Sequence, residues 1–185
     1  MDVSVVSLWL PILLSAVGVF IVSSLIWTVV KWHNADWKKL PDEEGARAAL
    51  KGIPAGQYAV PHVSHGQGAR DPEWIQKAKD GPTLMIVAWE GDPTRMGRQL
   101  GQWFAYCLVI SALLGFVTSV ILHSGESFGM VFHTVAILGA MTYSGAHAIN
   151  SIWFRHTWGR TFKDIVDGVI YALVTAAIFG WLWPA

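Results

Sequence analysis

Four long apolar stretches divide this chain, and all thirteen of its Lys and Arg residues fall in just two of the gaps between them. The stretches cover roughly residues 3–30, 103–122, 130–154 and 165–183. Ten basic residues lie from Lys31 to Arg98, and the other three (Arg155, Arg160, Lys163) separate the third stretch from the fourth. The link between the second and third has none. Basic loops remain on the cytoplasmic face of a membrane. The pattern therefore predicts an all-α integral membrane protein, a four-transmembrane-helix bundle with both termini outside, in the periplasm. Three regions follow: transmembrane helix 1 (1–31), a cytoplasmic α/β insertion between helices 1 and 2 (32–101), and a three-helix transmembrane region with helices 2–4 (102–185).

Composition agrees. Apolar residues make up 53% of the chain and charged ones only 14%, against about a quarter charged in soluble domains. Each stretch reaches about 20 residues, enough for a hydrocarbon core of roughly 30 Å. The first is longer, which leaves room for tilt. It reads as a span and not as a signal peptide, because it lacks a basic leading segment and a small-residue cleavage site. A net charge of zero leaves no electrostatic footprint for nucleic acid. The single Cys107 excludes an internal disulfide and reads as a small packing residue. Of the eleven Trp residues, most lie near span ends, where an indole prefers the headgroup level.

The long loop carries signals of its own. Pro41 with three following acids, closed by Lys51 and Gly52, predicts a short helix over 41–51. Residues 57–61 form a short strand candidate. Asp71 before Pro72 caps a second helix that Gly81 ends. The apolar run 83–89 is the better strand. Such a subdomain is small for independent stability and is expected to lean on the membrane face or on a partner.

The third stretch holds the least ordinary residues. His133 and His147 are fourteen residues apart, which on one straight helix places them on one side, about 21 Å apart. Haem ligands in membrane cytochromes take such spacing, but each haem needs a second His, and no other span contains one. Haem or pigment binding by His133 and His147 is the alternative to plain hydrogen bonding with neighbouring helices. Ala136, Ala140, Ser144 and Ala148 form a ladder of small residues at i+4 spacing, suited to close helix packing in lipid. Asp164 and Asp167 open the fourth stretch. Thr161 and Asp164 match a capping box, so a first-turn structural role accounts for the acids, with Arg155, Arg160 and Lys163 as counter-ions. His62 and His65 form a weak metal-site candidate without a third ligand; His33 stands apart. No nucleophile elbow, phosphate loop or zincin motif occurs, so no enzymatic activity is expected.

Several segments resemble a family of uncharacterised bacterial four-span inner-membrane proteins: residues 56–61 (GQYAVP), 93–97 (PTRMG), 150–154 (NSIWF), 164–171 (DIVDGVIY) and 179–184 (FGWLWP). The resemblance implies a bacterial inner (cytoplasmic) membrane location and assigns no functional residue. The expectation is a non-catalytic accessory or scaffold subunit, without cofactor, packed in the bilayer beside the other membrane subunits of a larger respiratory or photosynthetic complex. A haem- or pigment-binding redox protein and a small oligomeric transporter or channel are the alternatives.

Overall fold

The computed structural model describes residues 3–63 and 70–185. The chain is mostly helical and divides into two compact units, one formed by residues 1–38 with 96–185 and the other by Lys39–Arg95.

The first unit is a helical bundle. Its first helix, α1 (Trp9–Leu25), follows a 3-10 turn (Val5–Leu8) and ends in a π turn (Ile26–Val30). Pro11 sits in the first turn of α1, where its missing N–H costs nothing. Leu8, Pro11, Ser15, Val19 and Ser23 turn one stripe inward at three- and four-residue spacing. Lys31 then takes a left-handed conformation, and its N–H closes the π turn on the Ile26 carbonyl at 2.8 Å. A single 3-10 turn (Trp32–Asp36) follows.

The second long helix of the bundle, Gly97–Ile121, runs six residues earlier than the apolar stretch suggested, because Arg98, Gln99 and Gln102 continue the helix beyond its apolar part. The third stretch is not one straight helix, contrary to expectation. One segment covers Phe128–Ser144 and another His147–Phe154, with a turn at residues 145–146. Ser144 Oγ donates to the carbonyl of Ile165 at 3.0 Å and so ties the break to the neighbouring helix. The last helix, Trp158–Trp181, starts seven residues before the predicted fourth stretch. The cause corrects the capping-box reading. Thr157, not Thr161, accepts the first-turn N–H, from Arg160, while the Thr161 hydroxyl is buried against Ser151. Asp164 and Asp167 consequently lie in the second and third turns, not the first.

The Phe128–Ser144 and Trp158–Trp181 helices pack most closely. Val131, Val135, Gly139 and Tyr143 face Gly168, Ala172, Thr175, Ala176 and Phe179 across their contact. A Cβ on Gly139 would stand 3.0 Å from that of Ala172, so hydrogen at this position allows the backbones to approach, as small residues do at helix contacts in lipid. Most buried polar side chains in the bundle are Ser and Thr, and some bond back to a carbonyl one turn earlier, such as Thr118 to Leu114 and Thr175 to Tyr171. Among the described residues, three helical stretches are long and apolar enough to cross a membrane: Val5–Val30, Gly97–Ile121 and Phe128–Phe154, the last taken through the turn at 145–146. Their outer surfaces expose Leu13, Ile21, Val109, Leu113, Phe116, Ile137 and Met141, the inversion expected where hydrocarbon replaces water.

The second unit follows the sequence closely. It contains α2 (Glu43–Ala49), capped by Asp42, then β1 (Gly56–Val60), α3 (Pro72–Asp80), capped by Asp71, and β2 (Leu84–Ala88). The strands pair antiparallel with Tyr58 opposite Ile86. No described residue of this unit is buried, so two strands and two short helices leave it without a core of its own. The long bundle helices after it are α4 (Gly97–Ile121), α5 (Phe128–Ser144), α6 (His147–Phe154) and α7 (Trp158–Trp181).

Candidate functional site

The buried charges of the bundle gather at one end. The π turn and the left-handed Lys31 bring His33 back under α1, where its side chain is only 2% exposed. The indole of Trp27 stacks on the imidazole, with centroids 4.4 Å apart and planes 9° from parallel. On one side His33 Nδ1 lies 2.9 Å from Asp36 Oδ2, and on the other Nε2 lies 3.0 Å from Asp167 Oδ2 on α7. Lys163 on α7 donates to Asp36 Oδ1 at 2.6 Å and to the Trp32 carbonyl at 2.8 Å. Arg160 approaches Asp164 at 3.9 Å and also covers the ring of Trp37.

Neutral imidazole has one N–H, yet both ring nitrogens of His33 face carboxylate oxygens. Both bonds are satisfied when the set holds one more proton, as an imidazolium donating both ways or as an acid proton facing the ring. Around His33 the network brings the carboxyl groups of Asp36, Asp164 and Asp167 together with Arg160 and Lys163, and ionic groups of this kind are tolerated away from water when they are paired. The Lys163 ammonium, by its hydrogen bond, holds the Asp36 carboxyl below the usual range, against an opposing effect of burial and with His33 assisting.

A cavity of about 640 Å³ opens beside this network. Ser24 of α1, Trp27 of the π turn, Trp103 and Tyr106 of α4, and Tyr143, His147, Asp164, Asp167 and Tyr171 contribute to its wall. Trp103 is fixed by its N–H, which donates to Ser23 Oγ at 2.9 Å. One atom of a wall residue, Asp167 Oδ1, is buried without a hydrogen-bond partner, while the Tyr143 hydroxyl lies toward Ser111 and Thr175. A buried polar atom left unpaired costs about 1–3 kcal/mol.

The residues singled out from the sequence are dispersed. His133 is exposed and its Nδ1 lies 2.7 Å from the Gly129 carbonyl one turn back. His147 begins α6 and lines the cavity. The turn at 145–146 removes the premise of one straight helix on which their shared side was inferred. Ala136, Ala140 and Ala148 are half-buried and Ser144 is buried, beside the more deeply buried stripe from Val131 to Tyr143. Cys107 is buried in the core. His62 is exposed, and His65 lies outside the described residues. Among the described residues, no group of three or more His, Cys, Asp or Glu side chains is arranged to hold a metal ion.

His33 and Asp36 are the site residues that the sequence did not bring forward. Their H-x-x-D spacing directly after an apolar stretch is the available signal, since such a pair sits where a helix emerges from the membrane and can turn back. Comparison with protein-family models, with curated proteins and with solved structures found no match.

Proposed function

We propose that this chain is a four-span inner-membrane protein that binds a small molecule in the cavity at the charged end of its bundle. The fourth span in this reading is α7. Its 24 residues extend about 36 Å, and after Asp167 it carries no charge. The preceding charges are taken up by the internal network, which removes the main obstacle to placing that helix in a bilayer. The basic residues put the charged end on the cytoplasmic side. One observation carries the binding reading: an apolar-walled cavity of about 640 Å³ whose lining brings together Asp164, Asp167, His147 and three tyrosines. Cavities with a few convergent polar groups are the usual form of a small-molecule site.

Native mass spectrometry after extraction from the source membrane in mild detergent tests it. A discrete adduct that is present in the natural chain, and lost when Ser24→Phe fills the cavity, supports the reading. An adduct-free mass in every extract rejects it.

The accessory-subunit reading rests on a separate observation. No described residue of the Lys39–Arg95 unit is buried, and the unit exposes Leu84, Met85, Val87 and Trp89. Apolar groups at this density on a soluble-type unit favour a protein partner. Co-migration with defined subunits on a native gel, abolished by Met85→Lys with Val87→Glu, supports it; unchanged migration as a lone oligomer opposes it.

A further inference from the structure

The bundle separates its charges by sign at the end that holds His33. Among its described residues the acids there are Asp36, Asp164 and Asp167, and none of their side chains is more than 18% exposed. All three are engaged inward, with His33, Lys163 and Arg160. The cations left over are Lys31, Lys38, Arg98 and Arg155. All four are exposed, and among the described residues none of them forms an ion pair. They share one end because the helices alternate in direction. Ser23 meets Trp103 and Ile12 lies against Gly115, so α1 ends where α4 begins; Ser151 meets Thr161, so α6 ends where α7 begins. Arg160 at the start of α7 covers the Trp37 ring, which joins the two places. Every exposed carboxylate or cation on this end of the bundle is therefore a cation. Trp37, Trp153 and Trp158 are exposed among them, as indoles are at headgroup level.

Two of the four cations stand where glycine fits best. Lys31 closes the π turn at φ 57° and Arg155 closes α6 at φ 58°, a left-handed conformation that glycine adopts freely and other residues adopt at a cost. A cation at a helix C-terminus gains from the helix dipole. That gain does not extend to Arg98, which lies in the first turn of α4, where the dipole disfavours positive charge. What the four share is their level in the fold. We propose that this belt binds the headgroups of anionic phospholipids in the cytoplasmic leaflet. Each Lys or Arg near an anionic bilayer surface strengthens the attraction about fivefold. The inward pairing of Asp36, Asp164 and Asp167 keeps carboxylates away from the phosphates. The proposal rests on the reading that the bundle crosses a bilayer and is independent of the cavity.

The test places the full chain in lipid nanodiscs made of equal phosphatidylglycerol and phosphatidylcholine, moves it into mild non-ionic detergent, and measures the lipid that stays bound by mass spectrometry. Phosphatidylglycerol is expected to be retained about fivefold or more over phosphatidylcholine at low salt, with the preference shrinking as salt is raised. Lys31→Gly with Arg155→Gly is expected to lower that ratio about threefold or more, while the unfolding midpoint in denaturant holds or rises, because glycine suits both backbones. Lys51→Gln with Lys79→Gln makes the same change in net charge within the Lys39–Arg95 unit and is expected to leave the ratio unchanged. Equal retention of the two lipids by the natural chain overturns the proposal, as does a control pair that lowers the ratio as much as the glycine pair. If the glycine pair loses stability at an unchanged ratio, Lys31 and Arg155 serve their helix ends and the proposal fails. If it loses both, Arg98→Gln decides: a lowered ratio supports the belt, and an unchanged one overturns it. A chain that does not enter the discs fails the membrane-spanning reading, and the lipid assignment with it.

Discussion

The two ends of the helical bundle solve the same closure problem by opposite means. At one end Val3, Leu8, Leu122, Val131, Val135, Ala176 and Phe179 form a dry apolar cluster. The chain end straps it: the Trp183 N–H donates to the His123 carbonyl at 2.9 Å and the Gly125 N–H to the Pro184 carbonyl at 3.0 Å. At the other end, aromatic rings and ion pairs surround a cavity, and His33 is held between two acids. Apolar packing fills space and tolerates no vacancy. A paired charge network spends stability on desolvation and adds little net strength. An end made this way, beside a cavity, is the end we propose for binding.

Substitution at the two ends sharpens this contrast most. His33→Ala leaves Asp167 and Asp36 each short of a partner and is expected to cost about 3–5 kcal/mol in denaturant titrations in mixed micelles, with a loss that depends on pH. Phe179→Ala opens a cavity in the dry cluster and is expected to cost about 3 kcal/mol, with no pH dependence. The double variant should show the sum of the two within about 0.5 kcal/mol, as remote sites do. A larger coupling would mean the ends are not independent.

Next in size is the contact that joins the ends. A Cβ on Gly168 would stand 2.8 Å from the Tyr143 carbonyl oxygen, a backbone atom that cannot swing away. Gly168→Ala is expected to cost about 1–3 kcal/mol by overpacking. A neutral result in the same titration would show that α5 and α7 slide apart freely.

The charged end alone should respond to acid. Asp36 is held below the ordinary carboxyl value of 3.8, chiefly by Lys163. The unfolded chain therefore takes up the proton first as pH falls. The stabilisation is complete above that ordinary value and is lost as pH falls through the lower folded value. Lys163→Met should flatten the acid limb of the stability–pH curve below pH 4 relative to the natural chain, while Phe179→Ala leaves its shape unchanged. Parallel curves for all three proteins would remove Lys163 from the network. The smallest expected effect is Trp103→Phe, which loses the hydrogen bond to Ser23 and is expected to cost about 1 kcal/mol.

Much of the fold was legible in the residues because local signals and burial agreed. Asp71 with Pro72 marked the start of α3, the run at 83–89 marked β2, and apolar length marked three helical stretches able to cross a membrane. The misread boundaries share one cause. Hydropathy reports where lipid begins, not where a helix does, so α4 and α7 run past their apolar parts into charged turns. The site was largely hidden for the same reason. His33 sits three residues beyond an apolar stretch and 134 residues from Asp167 in sequence, and nothing local in either segment announces the other. Asp164 and Asp167 were visible as acids, but their depth depended on which threonine capped the helix.

The sequence by itself determined the number and length of the apolar stretches, the caps of the small unit and the one-sided distribution of basic residues, because these follow from composition and from short-range geometry. Only the tertiary structure decided that the third stretch breaks at residues 145–146, that Thr161 faces Ser151, and that His33 lies between Asp36 and Asp167. Each of these depends on a partner from a distant segment. The free energy that selects them comes from pairing buried polar groups across helices, a long-range condition that no window of residues contains.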